Sequence, residues 1–238
     1  MDLKEAAAFG GQVGDHWYLR SKAVALERYV GRTGYWRILD VGAGSGFFSR
    51  HLLGRSDAVE ATCVDIGYAG DSEEALGSKR IHFKKDCADE DADLVLLMDV
   101  LEHVDDDVGL LSEYTRRVPA GARFLITVPA FQFLWSDHDV YLGHRRRYTR
   151  AHLLRVVEAA GLNVVRSSYY FGFVLPMAAA LRLGKRVVRP KDAPVESDLK
   201  PQGPALNSLL RGICAAELPF LAVNRVGGLT VFCLCEKR

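Results

Sequence analysis

Features that would place this chain in a specialised class of protein are missing from its sequence. The five cysteines are odd in number and scattered, so they do not build the framework of a disulfide-rich secreted domain. The most apolar window, residues 169–181, is much shorter than the roughly 20 residues that cross a bilayer. The first residues lack the basic and apolar regions of a signal peptide. These absences predict a reduced, cytoplasmic protein.

An excess of charge of one sign is also missing. The 31 Lys and Arg residues are balanced by 30 Asp and Glu residues, which gives a net charge of +1. Global charge therefore favours neither nucleic acid nor a membrane, and we expect no nucleic-acid partner. Cys233 and Cys235 would share one face of a strand, which suits packing better than metal binding, and we expect no metal site.

The length and composition suit a single α/β domain, because 238 residues with 49% hydrophobic content bury a full core. From about residue 36 to 171, short apolar runs alternate with helical patterns, which predicts a doubly wound, mostly parallel sheet with helices on both faces. Seven strands are expected, at residues 37–41, 59–64, 81–84, 93–98, 122–128, 162–170 and 229–235.

We divide the predicted domain, residues 1–238, into four parts: a helical cap (1–35), a ligand-binding core (36–171), a helical insertion or lid (172–228) and the final strand (229–238). The middle of the insertion, residues 189–204, contains four prolines among many charges. This composition is typical of a mobile loop.

A glycine-rich turn connects the first strand to the next helix. Gly42, Gly44 and Gly46 have the spacing G-x-G-x-G, whereas a dinucleotide fingerprint would place its third glycine where Phe47 stands. Glycines let the backbone approach a ligand, and the helix start offers free N–H groups. The spacing, the leading Asp40 and the helix before the strand point away from NAD and toward S-adenosylmethionine.

Two carboxylates follow the next strands. Asp65 ends the second strand, where it can accept hydrogen bonds from both hydroxyls of a ribose, whether the ligand is NAD or S-adenosylmethionine. Asp86 follows the third strand and could accept from an adenine amino group. The alternative for Asp86 is a solvated turn residue among charged neighbours.

Four motifs then occur in order: LDVGAGSGFF, VDIG, DADLVLLMDVLEHVDDD and GARFLITVPA. Together they resemble class I S-adenosylmethionine-dependent methyltransferases, in particular the small-molecule branch of types 11 and 12, over residues 15 to 170. The resemblance implies a Rossmann-like methyltransferase fold and S-adenosylmethionine as the cofactor. It implies donor contacts by Trp17, Arg20, Asp40, Gly42, Gly44, Gly46, Asp65, Ile66, Asp86, Cys87, Met98 and Asp99. The resemblance also implies that Arg20 pairs with the carboxylate of the donor. The competing interpretation is that Arg20 is a plain surface charge.

The second substrate, the methyl acceptor, is expected beyond the carboxyl ends of the fourth and fifth strands. Glu102 and His103 lie there, followed by residues 131–148, which we call the acceptor loop. An oxygen or nitrogen acceptor can require a base, and an imidazole oriented by Asp137 or Asp139 would serve. The candidate catalytic residues are His103, His138 and His144.

The acceptor loop also carries aromatic residues and arginines. Phe131, Phe133 and Trp135 could line an apolar pocket, while His144 and Tyr148 could instead brace the loop, as the resemblance implies. Arginines at positions 145–147 and 150 would suit a phosphorylated or acidic acceptor. A solvated face paired with the carboxylates at 105–107 is the alternative.

The insertion carries stripes of like residues at helical spacing. Residues 174, 177, 178 and 181 are apolar, residues 182, 185, 186 and 189 are basic, and a second apolar stripe occupies 206, 209, 210 and 213. An apolar stripe beside a basic one fits peripheral contact of residues 173–189 with the inner face of a membrane, and then a lipid-linked acceptor. It equally fits a lid or part of the core.

The sequence therefore predicts an S-adenosylmethionine-dependent methyltransferase that acts by in-line transfer to an oxygen or nitrogen of a small-molecule or lipid-linked acceptor. Two alternatives remain open. One is a non-catalytic donor-binding or membrane-associated protein with the same fold. The other is an NAD-dependent oxidoreductase, which Phe47 and the preceding helix disfavour.

Overall fold

The computed structural model describes residues 13–88, 90–188, 197 and 202–238, and these fold around one sheet of eight strands in the order β3-β4-β2-β1-β5-β6-β8-β7. The strands are β1 (Arg37–Val41), β2 (Glu60–Val64), β3 (Ser72–Leu76), β4 (Lys79–Lys84), β5 (Leu94–Met98), β6 (Arg123–Pro129), β7 (Leu162–Tyr170) and β8 (Thr230–Lys237). Every predicted strand is present, and the largest shift at a strand end is two residues.

The five strands β4, β2, β1, β5 and β6 are parallel, while β8 pairs antiparallel with both β6 and β7. The mostly parallel α/β sheet is thus confirmed. The prediction of seven strands is corrected to eight, because β3 forms an antiparallel hairpin with β4. Its sequence, SEEAL, is polar and largely exposed, so it lacks the apolar pattern of a buried strand. A two-residue turn at Gly77 and Ser78, with φ +64° at Gly77, is the signal that could have revealed it.

Seven helices are described: α1 (Trp17–Val30), α2 (Phe47–Leu53), α3 (Asp107–Arg117), α4 (Asp137–Leu142), α5 (Arg150–Ala159), α6 (Leu175–Val188) and α7 (Pro204–Glu217). Helices α1, α2 and α7 cover one face of the sheet, and α3 and α5 cover the other. Alternate residues of β5 therefore enter two separate cores: Leu96 packs on the first face and Val95 on the second.

The insertion between β7 and β8 supplies α6 and α7. Helix α7 packs on α1, and Asn207 joins them by accepting from the Trp17 N–H at 2.7 Å. Most of the loop predicted at 189–204, including Arg189, lies outside the described residues. In the part of the chain that the structure describes, no helix has the length and apolar character needed to span a membrane.

Candidate active site

The glycine loop (residues 42–46) leaves the carboxyl end of β1 in a backbone conformation that glycine alone adopts readily. Gly42, Gly44 and Gly46 have φ angles of 63°, 54° and 71°. A Cβ atom at Gly42 would lie 2.8 Å from a methyl of Val100, and one at Gly46 would lie 2.9 Å from the ring of Phe83. The loop thus has no room for a side chain at Gly42 or Gly46, which fits a ligand that the backbone approaches closely.

Asp40 lies beneath this loop, 1% exposed, and accepts a hydrogen bond of 2.7 Å from the Ser49 hydroxyl of α2. Its burial raises the pKa of the carboxyl to about 6, although the bond from Ser49 opposes the shift. Asp40 therefore links β1 to α2 through a buried hydrogen bond beneath the glycine loop. A direct contact between Asp40 and the donor stays a prediction.

Asp65 stands at the carboxyl end of β2, facing the glycine loop. One carboxylate oxygen accepts from the Gly44 N–H and the other from the Gly67 N–H, each at 2.9 Å. The Tyr68 hydroxyl donates to the Gly44 carbonyl at 2.6 Å, so the loop and this strand end are held together. Ile66, the next residue, is 93% exposed. A carboxylate in this position can still accept from ribose hydroxyls, because each oxygen has two lone pairs.

Asp86 and Cys87 follow β4 and bracket the same edge of the sheet. The Asp86 side chain is exposed and pairs with Arg117 at 3.0 Å, and this pairing lowers the pKa of the carboxyl. Cys87 is buried among the residues of the second core. Both residues follow β4, as the sequence predicted for contacts with adenine. The contacts themselves stay a prediction.

Lys22 of α1 is a site residue that sequence reasoning missed. It is fully buried, and its ammonium pairs with the carboxylate of Asp99, directly after β5. Burial by itself lowers the pKa of Lys22, but the negative charge of Asp99 outweighs it and the net shift is upward. Asp99 adopts φ +59° and accepts from the Thr127 hydroxyl at 3.2 Å. A lysine on the apolar face of the first predicted helix was the available signal.

A cavity of about 370 Å³ opens beside Asp99. Trp17 and Asp99 line it from the donor side, and all three candidate catalytic residues, His103, His138 and His144, line it as well. The opposite wall is apolar and comes mainly from the insertion, with Val174, Met177, Ala178, Leu181, Leu206 and Leu210. Residues far apart in sequence thus line one cavity, next to the carboxyl ends of the strands where the donor is expected.

Asp139 organises the acceptor loop around this cavity. Its fully buried carboxylate accepts from His144 Nδ1 at 2.8 Å and from Arg147 Nε and Nη2 at 2.7 and 2.9 Å. Burial opposes ionisation, yet the bonds from His144 and Arg147 hold the pKa of Asp139 well below its ordinary value. Asp139 is therefore the carboxylate that orients the candidate imidazole of His144.

The remaining basic residues of the loop are satisfied inside the protein. Arg146 bonds the Asp107 carboxylate at 3.0 Å and two backbone carbonyls, and Arg150 Nε donates to the Ser167 carbonyl at 3.2 Å. Arg145 forms an exposed pair with Asp105 at 3.6 Å. The carboxylates at 105–107 thus pair with Arg145 and Arg146, whereas Arg147 pairs with Asp139 and lines the cavity. A phosphorylated or acidic acceptor stays a prediction.

Several other sequence-predicted residues lie away from the cavity. Phe131 stacks on Phe133 and Tyr169, and neither Phe131, Phe133 nor Trp135 lines the cavity. Tyr148 is fully buried and donates to the Leu101 carbonyl at 3.1 Å, as a brace would. Arg20 borders a second groove with His51, Arg55 and Arg211, so its contact with the donor carboxylate stays a prediction.

Comparisons with known proteins identify the family of the chain. The sequence model of a family described as a methyltransferase domain matches residues 14–167. An O-methyltransferase of ubiquinone biosynthesis from Aeromonas salmonicida is 29% identical over 184 residues, which are 63% of this chain and 72% of that protein.

Solved structures share the fold at low sequence identity. A Haloferax volcanii protein solved with the Trm112 methyltransferase activator has a TM-score of 0.57 at 16% identity, over 95% of this chain and 92% of that chain. A protein of Bacillus halodurans C-125 described as a methyltransferase has a TM-score of 0.56 at 14% identity, over 91% of this chain and 99% of its own.

The buried pair predicts the effect of substituting Lys22. In Lys22→Met the Asp99 carboxylate loses its counter-charge while staying largely out of water, so the free energy of unfolding should fall by about 3 kcal/mol. Urea denaturation measures this change. Lys84→Met, which removes a half-exposed pair with Glu90, is the matched control and should cost less than about 1 kcal/mol. Equal losses in the two variants would contradict the role of the pair.

The burial of Asp40 predicts a pH dependence of stability. Because its pKa is higher in the folded state, the folded protein binds more protons than the unfolded chain between pH 4 and 6, and stability falls as pH rises through that range. Asp40→Asn removes this decline. The stability of the variant relative to wild type should therefore rise by roughly 2 to 3 kcal/mol from pH 4 to 7. Urea denaturation at several pH values tests this, with the exposed Asp71→Asn as control; a pH-independent difference for Asp40→Asn would refute it.

Proposed function

The chain belongs to the methyltransferase family that uses S-adenosylmethionine, and from that premise we propose that it methylates an oxygen of a small, largely apolar acceptor bound in the cavity beside Asp99. The single observation that carries the proposal is the lining of this cavity. His103, His138, His144 and Glu102 lie close together in it, and the insertion contributes mainly apolar side chains beside Arg182 and Lys185. The O-methyltransferase relative supports oxygen as the atom methylated.

The residues around the glycine loop fit the donor. Its crowded glycines leave only backbone groups to meet a ligand, and Asp65 holds a carboxylate next to them. When bound, S-adenosylmethionine supplies a methyl group that is already activated by its sulfonium. The protein then has to exclude water, align the acceptor oxygen and receive its proton. His144, oriented by Asp139, and His138 are placed along the cavity to receive that proton.

We assign the insertion the role of a lid over the acceptor. Arg182 of α6 donates to the Leu134 carbonyl at 3.1 Å, and Arg186 donates to the Trp135 carbonyl at 2.6 Å. These bonds tie α6 to the acceptor loop, and Met177 and Leu181 then face the cavity from the same helix. The competing prediction, a helix on an anionic membrane, would use these arginines for lipid headgroups. Their internal bonds favour the lid.

Donor binding is the first test. Calorimetry should show micromolar binding of S-adenosylmethionine and of its demethylated product, and no binding of NAD. Asp65→Ala should weaken donor binding about 10- to 100-fold, because charge-assisted hydrogen bonds to the ribose are lost. The exposed Asp71→Ala is the matched control. Binding of NAD in place of S-adenosylmethionine would overturn the proposal, and an unchanged affinity in Asp65→Ala would remove this residue from the site.

The apolar wall predicts the acceptor preference. In a series of catechols with alkyl tails of increasing length, transfer of a labelled methyl group should become more efficient with tail length, because each buried methylene contributes up to about 0.8 kcal/mol. Leu181→Asn should reduce this gain in kcat/KM. Leu183→Asn, on the same helix but outside the cavity lining, should leave it unchanged. Equal efficiency for catechol and its tailed analogues would argue against an apolar acceptor.

A further inference from the structure

Three side chains of the types that ligate metals meet at the polar end of the cavity. Glu102 and His103 belong to the short 3-10 turn after β5, and His144 belongs to the acceptor loop. One ligand atom of each lies within 4.8 Å of those of the other two. The rings of His103 and His144 are edge to face, with centroids 4.8 Å apart. All three residues line the cavity.

Of these three residues, Glu102 is the one that a bound cation would stabilise most. It is fully buried, and both of its carboxylate oxygens lack a hydrogen-bond partner among the described residues. A buried carboxylate without a partner is costly, whereas a metal ion compensates its charge and satisfies its lone pairs. Asp99 is three residues away, but its charge is already balanced by Lys22. Glu102 therefore places a buried carboxyl without a hydrogen-bond partner among the described residues in the wall of the cavity.

His144 is prepared as a ligand by its neighbours. Its Nδ1 is hydrogen-bonded to Asp139 Oδ1 at 2.8 Å, which leaves Nε2 as the atom available to a metal. A carboxylate behind an imidazole is the arrangement that most often orients metal-bound histidines and raises their basicity. Asp139 is itself fixed by Arg147 on two sides. This second layer keeps the ring in position.

The two elements that carry the ligands are also held in register by the backbone. The Arg145 N–H donates to the Glu102 carbonyl at 2.6 Å, directly beside His144. The Tyr148 hydroxyl donates to the Leu101 carbonyl at 3.1 Å, directly beside Glu102. The ligands therefore sit on segments that are fixed relative to each other, which lowers the cost of organising a site.

We propose that Glu102, His103 and His144 bind a divalent transition-metal or zinc ion in the acceptor cavity. Two histidines and one carboxylate form a three-ligand set that leaves coordination positions open. Ligand atoms about 2.1 Å from a common ion lie roughly 3 to 3.5 Å apart, so the site closes by small side-chain rotations. This revises the expectation from sequence that the chain has no metal site.

The role of the ion, unlike its binding, rests on the proposed function. The open positions face the cavity, where the hydroxyl of the acceptor would lie. A divalent cation next to a hydroxyl lowers its pKa, so the oxygen would reach the methyl group already deprotonated. With the ion bound, His103 and His144 are ligands, and the proton would pass to water or to His138 in place of His144. Catechol oxygens are suited to two adjacent open positions.

Metal binding is tested on the full chain after treatment with a chelator. Titration with Co²⁺, followed by its visible absorption, should show one equivalent bound with histidine ligation, and Zn²⁺ should displace it. Glu102→Gln and His103→Ala should each weaken Co²⁺ binding by about 100-fold. Asp139→Asn, which leaves all three ligands in place but weakens the bonds that orient His144 and hold Arg147, should weaken it by about 10-fold or more.

The matched control is the double variant Glu73→Gln with His82→Ala. It removes another histidine–carboxylate pair, 3.0 Å apart on the β3–β4 hairpin and outside the cavity lining, and should leave Co²⁺ binding unchanged. Should Glu102→Gln fail to fold, His103→Ala, at a half-buried position, decides the question. Affinity that is the same in wild type and His103→Ala would overturn the site. Donor binding in the same samples separates this outcome from failure of the proposed function.

Discussion

The ion pair between Lys22 and Asp99 is the interaction on which the site depends. It joins the helix that precedes the sheet to the carboxyl end of its central strand β5, with the lysine fully buried. Two charges withdrawn from water are stable only together, so α1 cannot move away from β5 without leaving one of them unpaired. Because Trp17 lies at the start of α1, the same pair fixes one wall of the cavity.

The acceptor loop is ordered by the same principle, with Asp139 in the place of Asp99. Besides the buried side chains of Leu134 and Tyr148, the loop has the carboxylate of Asp139, which accepts hydrogen bonds from His144, Arg147 and the Ser136 N–H. None of these groups can leave without exposing a charge to an apolar surrounding. The loop is therefore as well defined as the strands that carry it, and a histidine placed by such a network is pre-organised for chemistry.

Local patterns were enough to predict the parallel sheet and the glycine loop, because each depends on residues close in sequence. The hairpin strand β3 was missed because charged residues at a sheet edge have no apolar period. Arg145, Arg146 and Arg147 look alike in sequence, yet the first is exposed and the last is buried against Asp139. The partner of a charged side chain depends on the tertiary structure. The partners of Lys22 and of the arginines could therefore not be predicted from the spacing of residues in the sequence.

Asp99 and Glu102 show how one strand end can hold two carboxyls in opposite states. Burial alone would raise the pKa of Asp99, but the charge of Lys22 and its hydrogen bond keep that pKa low. Burial and the nearby charge of Asp99 raise the pKa of Glu102 well above its ordinary value, and no described side chain hydrogen-bonds to its oxygens. Pairs of carboxyls whose environments separate their pKa values are a feature of sites that handle charge. Asp99 has its cation from the protein, whereas the oxygens of Glu102 have no partner among the described residues, so a cation in the cavity would displace the proton that burial favours there.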